Sequence, residues 1–253
     1  MNPTIVGIVV FFCTFAGVLL GMWLSTVLPD HHLDAESKDT VKLGIGLIAT
    51  MTALILGLVT ASAKNSFDAV DTAVKQTASE IITLDRVLAR YGPETGEIRK
   101  GLQHAVGARI ETIWPRNTKP VNLDPVRSEV SATERLADAI RGLQPRDDAQ
   151  RALQSRAQDL AEALLQARWL VIAGMEPSVP MPFLAILLFW LTVTFASFGL
   201  LAPRNGTVLT VLFICALSVA SAVFLVMEMD APFEGLIKVS PDPMRYAYSH
   251  LNQ

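Results

Sequence analysis

The chain has 253 residues, 51% of them hydrophobic and 18% charged, with a formal net charge of −3. So little charge with a positive mean hydropathy favours a membrane protein over a soluble domain. A mildly acidic balance excludes an ordinary nucleic-acid binder, which is basic. The only two cysteines, Cys13 and Cys215, sit inside apolar runs and support neither a disulfide framework nor a zinc site; they read as small buried apolar residues.

The first apolar run is Thr4 to Leu28. It lacks a basic amino-terminal region, is too long for a signal-peptide core and is followed by no small-x-small cleavage site, so it reads as a retained transmembrane helix. Gly17 and Gly21 form a GxxxG pair, which permits close helix contact. Pro29 to Thr40 is a polar loop, with Asp39 or Thr40 placed to cap the next helix. His31, His32 and Asp34 in that loop read as solvated residues rather than as a metal site or pH sensor.

Val41 to Ala63 is the second span, about 20 apolar residues being enough to cross a hydrocarbon core of roughly 30 Å. It is rich in small residues. Gly46, Thr50, Ala53, Gly57, Thr60 and Lys64 recur at steps of three and four and so share one helical face. Such a face gains nothing from lipid; it suits close helix packing or an aqueous path. Phe67, Val70, Val74, Ile81, Leu84 and Leu88 continue the pattern with no proline or glycine from Lys64 to Tyr91, which predicts one long helix leaving the membrane.

Four helical segments are expected between Asn65 and Val179: Asn65–Tyr91, Glu94–Trp114, Pro125–Leu143 and Pro145–Ala173, with a loop over Arg116–Asp124. Each has one apolar stripe and one charged face, as in a helical bundle. Their arginines are interleaved with acids, the pattern of a solvated face. Pro180 to Ala202 and Thr207 to Met227 are the third and fourth spans, joined by the turn Pro203-Arg204-Asn205-Gly206. The interiors of all four runs carry no Asp, Glu, Lys, Arg or His, which argues against a proton pump or a voltage sensor.

The fold class expected is therefore an all-α integral membrane protein. Two amino-terminal and two carboxy-terminal transmembrane helices enclose a cytosolic helical bundle in the sequence, with units at 1–64, 65–179, 180–228 and 229–253. Lys64, Lys75, Arg168, Lys238 and Arg245 lie on the side of the bundle, so the positive-inside rule puts the bundle and both termini in the cytoplasm.

Past the fourth span runs Met227-Glu228-Met229-Asp230-Ala231-Pro232-Phe233-Glu234-Gly235. Pro232 ends the helix near Asp230, leaving Glu228 and Asp230 at a carboxyl end where the helix dipole disfavours negative charge by about 0.3–1 kcal/mol. These carboxylates are either hydrated at headgroup level or engaged with Lys64 or passing cations. The acidic-then-Pro-Phe-x-Gly tail resembles that of a bacterial bestrophin-like membrane family, and the layout of spans, insert and hairpin resembles it along essentially the whole chain. The resemblance implies a bacterial inner-membrane location and kinship with bestrophins, oligomeric anion channels whose pore follows a central helix.

The leading expectation is a channel-like homo-oligomer conducting small inorganic ions, with the second span and its face Gly46, Thr50, Ala53, Gly57, Thr60 and Lys64 lining the axis. Glu228, Asp230, Pro232, Phe233 and Gly235 form the cytosolic mouth and tail motif. Its partners are then the bilayer, copies of itself and small ions. The alternative is a non-conducting sensor or scaffold whose cytosolic bundle binds a partner. No phosphate loop, nucleophile–base motif or metal-ligand spacing appears, so no enzyme, cofactor or metal is expected.

Overall fold

The structure is a computed structural model of the chain and describes residues 2–29, 35–115, 130–173 and 180–253. In chain order the described helices are α1 (Pro3–Val27), α2 (Ala35–Tyr91), α3 (Gly96–Ile113), α4 (Val130–Arg141), α5 (Asp148–Ala173), α6 (Met181–Leu201), α7 (Gly206–Met229) and α8 (Asp242–Ser249). A single 3-10 turn, Pro93–Thr95, links α2 to α3, and no strand occurs among the described residues. α1, α2, α6 and α7 are long and apolar enough to cross a membrane. Two compact units divide the chain, one of Met1–Ser66 with Pro177–Ala231, the other of Phe67–Glu176 with Pro232–Gln253.

In the first unit the helix ends follow from local chemistry. The Asn2 side chain accepts from the Thr4 amide at 3.0 Å and Pro3 supplies the first turn of α1. Asn205 caps α7 in the same way, accepting from the Val208 amide at 2.8 Å. Arg204 in the intervening turn donates to Ser25 Oγ at 3.0 Å, tying the hairpin to the end of α1. α1 packs along α6 and α7. Its GxxxG pair is the reason it can approach so closely: a Cβ at Gly17 would lie 2.8 Å from the Thr192 carbonyl oxygen, and one at Gly21 would overlap the carbonyl of Ala196. Gly199 of α6 returns the contact against the Val18 backbone. The core between these helices is Val6, Val10, Leu187, Leu191, Ala220, Val223 and Met227, flanked by Val18, Phe195 and Ala216. Phe11, Phe15 and Phe213 fill the other side in edge and stacked pairs.

Two local expectations are corrected here. α2 begins at Ala35, so Asp39 and Thr40 lie inside its first turns and do not cap it; Asp39 instead accepts from Lys42 one turn on, at 2.9 Å. Cys215 is exposed on α7 rather than buried, and Cys13 is half-buried, because only the stripes of α1 and α7 that face each other and α6 are covered. The His31, His32 and Asp34 cluster, the Arg116–Asp124 loop and the Pro125 helix start lie outside the described residues.

The second unit is a helical bundle whose core is Val70, Val74, Ile81, Leu84 and Leu88 of α2, Leu102, Val106 and Ile113 of α3, Ala137 and Ile140 of α4, and Ala157, Leu160 and Leu164 of α5. α2 stops at Tyr91 because Gly92 takes φ 144°, a backbone conformation L side chains rarely adopt. The freed carbonyls find partners: buried Thr95 donates to the Leu88 carbonyl at 2.6 Å and Gln150 Nε2 to that of Tyr91 at 3.0 Å. Gln154 Nε2 closes the end of α4, donating to the Ile140 carbonyl at 3.0 Å and to that of Leu143, just past the helix, at 2.8 Å. Residues 232–253 belong to this core as well, through Phe233, Val239, Met244, Ala247 and Leu251.

Candidate functional site: the open face of α2

A helix turns by about 100° per residue, so three stripes can be read along the apolar half of α2. The first is covered: Ile45, Thr52, Val59 and Ala63 are buried, Val59 and Ala63 against Val226 of α7. The second holds Gly46, Thr50, Ala53, Gly57, Thr60 and Lys64. Of these Gly46, Thr50, Ala53, Gly57 and Lys64 are exposed and Thr60 is half-buried. The third holds large apolar residues, Leu43, Leu47, Leu54 and Leu58, of which Leu43 and Leu54 are 78% and 75% exposed.

The glycines separate into two kinds. Gly17, Gly21 and Gly199 each meet the backbone of another helix, whereas a Cβ at Gly44, Gly46 or Gly57 would meet nothing within 4 Å. These three glycines of α2 therefore do no packing work inside the protomer. The hydroxyls on this face are internally satisfied, Thr50 Oγ1 donating to the Leu47 carbonyl at 2.8 Å and Thr60 Oγ1 to that of Leu56 at 2.7 Å. With the proton committed to the helix, each oxygen keeps only acceptor capacity for a further ligand.

The tail motif is a different environment. Glu228 is 3% exposed, so it is not a freely hydrated carboxylate, and Asp230 is half-buried. α7 closes with the Asp230 amide donating to the Val226 carbonyl at 3.1 Å and the Ala231 amide to that of Glu228 at 3.2 Å. Beyond it, Pro232 and Phe233 are buried, the Val239 amide donates back to the Pro232 carbonyl at 2.8 Å, and Gly235 turns the loop with φ 78°. Phe233 meets Trp114 edge to face at 5.6 Å, and the indole Nε1 of Trp114 donates to the Val239 carbonyl at 2.9 Å. The Pro-Phe-x-Gly sequence thus builds an anchored loop on α3. Among the described residues no group of His, Cys, Asp and Glu is arranged to hold a metal ion.

Sequence reading missed the polar centre of the bundle. Asp85, 1% exposed, receives Arg99 in a two-pronged pair at 2.8 and 2.8 Å. The hydrogen bond to Asp85 raises the Arg99 pKa above the ordinary value, against the opposing effect of burial. A raised pKa stabilises at every pH below the unfolded value and is lost only as pH rises through the folded one. That window lies far above the working range, so this arginine contributes no pH dependence there. The available signal was Asp85 between Leu84 and Leu88, an acid set into an otherwise apolar stripe.

By structure, the chain is similar to bacterial bestrophin homologues. A point variant of the homologue from Klebsiella pneumoniae superposes with TM-score 0.69 at 15% identity, covering 95% of this chain and 97% of that one. A second structure of the homologue from the same organism gives TM-score 0.68 at 14% identity, covering 94% and 96%. Identities this low establish the shared fold. No curated protein matches by sequence. The family model described as the bestrophin-like domain matches residues 12–244, from within α1 to the start of α8, and the chain belongs to the bestrophin-like family.

Proposed function

We propose that the protein is a channel-like homo-oligomer of the bacterial inner membrane that conducts small ions, with α2 lining the axis. The observation that carries this reading is the unfilled face of α2: Gly46, Ala53 and Gly57 are exposed in the protomer, whereas Gly17 and Gly21 of α1 and Gly199 of α6 meet the backbone of another helix. A glycine-lined face turned to lipid has no physical advantage, since membrane helices use small residues for close approach or for cavities. Turned to an axis, the face offers a narrow path walled by Ala53 and Gly57, with hydroxyl oxygens at Thr50 and Thr60 to replace part of an ion's hydration shell. Membership of the bestrophin-like family supports the same reading.

In this arrangement the bundle and both termini are cytoplasmic, Lys64 stands at the inner end of the path, and Glu228 and Asp230 lie at the mouth. The organisation proposed is that of the sequence reading: spans at 1–64 and 180–228, a cytosolic insert at 65–179 and a cytosolic tail at 229–253. Single cysteines placed from residue 46 to 64 in reconstituted protein test the axis. Water-soluble thiol reagents should modify positions 46, 50, 53, 57 and 60 and spare 47, 54 and 58. Uniform modification or none, without a three-to-four periodicity, contradicts the assignment of α2 to the axis.

A further inference from the structure

The tail of the second unit consists of two parts with different attachments. The first part, Pro232 to Val239, is anchored: Phe233 and Val239 are buried and Trp114 bonds the Val239 carbonyl at 2.9 Å. The second part, Asp242 to Gln253, is a short helix and its end, and it satisfies most of its own polar groups. His250 Nδ1 pairs with the Tyr246 carbonyl at 2.8 Å, Ser249 Oγ donates to the same carbonyl at 2.9 Å, the Tyr246 and His250 rings lie tilted with centroids 4.1 Å apart, and Gln253 Nε2 donates to the Ser249 carbonyl at 2.7 Å. Between the two parts lies the exposed Ser240 followed by Pro241.

The bonds from this second part to the rest of the bundle are mostly long. The Asn252 amide reaches the Asp85 carboxylate at 3.4 and 3.5 Å, and Arg86 and Arg99 reach the Gln253 carbonyl at 3.3 and 3.5 Å. Asn252 Nδ2 to Gln103 Oε1, at 2.8 Å, is shorter. Asn252 also sits at φ 62°, in the left-handed region. Beneath them the Asp85–Arg99 pair is shorter, at 2.8 Å. Apolar burial is confined to Met244, Ala247 and Leu251, and Tyr248 lies over Gly107, where an added Cβ would come within 3.1 Å of its ring.

We propose that Asp242–Gln253 is a lid that swings off α2 and α3 as a unit about Ser240–Pro241, while the Asp85–Arg99 pair beneath it stays closed. A self-satisfied segment loses little hydrogen bonding when it leaves, and the paired carboxylate below is not orphaned by its departure. Opening uncovers the apolar groove that Met244, Ala247 and Leu251 fill.

Hydrogen exchange on the full-length protein in lipid discs, read by mass spectrometry, tests this. In the wild type the amides of residues 247–252 should exchange at least about tenfold faster than those of residues 81–88, since local opening precedes global unfolding. R86A with Q103A removes two of the outer contacts and should speed lid exchange by about tenfold, leaving residues 81–88 within about twofold. G107V, which crowds Tyr248 from α3, should act in the same direction. Lid and α2 amides exchanging together in the wild type, or responding together or not at all in the variants, would overturn the proposal.

Discussion

The glycines carry the sharpest residue-level distinction in the protein. Gly21 touches the Ala196 backbone with no room for a methyl group, while Gly57 has open space around it. Inserting a methyl into a filled contact costs about 1–3 kcal/mol or more. In an open helical position the same change relieves glycine's propensity deficit of up to about 1 kcal/mol. Gly21→Ala should therefore lower the thermal midpoint of the protein in detergent, and Gly57→Ala should leave it unchanged or raise it. Both substitutions occur in apolar helices of similar composition, so a parallel response in the two would refute the difference drawn between them. The spacing of Gly17 and Gly21 was visible in the sequence, but their partners were not, because the carbonyls they meet belong to a helix more than 170 residues away.

At the scale of elements, α2 was legible and α8 was not read. α2 keeps an apolar pattern from Val41 to Leu88, with no glycine or proline after Gly57 until Gly92, so the continuity of that stretch follows from sequence alone. Its start was misplaced because Asp39 and Thr40 look like caps, although a polar first turn extends upstream of them. α8 is only 8 residues long, yet it carries a signal: Asp242-Pro243 opening a helix, then Met244, Ala247 and Leu251 at helical steps. The role of the Pro-Phe-x-Gly loop was only partly legible, since the punctuation by Pro232 and Gly235 is local but the Trp114 that receives Phe233 is distant in sequence.

The α2–α3 hairpin holds a buried charge pair whose acid breaks the apolar stripe of α2 but whose cation, Arg99, no periodicity singles out. Arg99→Met leaves Asp85 buried without its cation and should cost about 3–5 kcal/mol, whereas Arg99→Met combined with Asp85→Leu should cost less, since an unpaired buried charge is worse than none. Thermal melts of the single and double variants check the order. A double variant less stable than the single would show the pair to be worth more than the desolvation it requires.

Among the described residues four helices are able to cross a bilayer, and a helical bundle comes between the second and third in the sequence of this bestrophin-like chain. The proposed topology follows from the basic residues Lys64, Lys75, Arg168, Lys238 and Arg245 on one side. An impermeant thiol reagent applied to intact cells should label a cysteine at position 37 and spare one at position 117. Labelling at 117 with none at 37 inverts the topology. The number and length of the spans were legible because bilayer thickness sets a minimum apolar length. The function of the face on α2 was only half legible, because a small-residue stripe reads alike as packing and as path until the neighbours are known.

Ion flux through reconstituted vesicles, measured beside the oligomer size of the same preparation, bears most directly on the proposed path. Wild-type protein should conduct, and Gly57→Leu, which sets a large apolar group at a position open in the protomer, should block flux while the oligomer persists. Loss of the oligomer in Gly57→Leu, or no flux from the wild type across varied pH, voltage and Ca²⁺, would contradict a conducting axis along α2 and leave its small residues as a packing surface between copies.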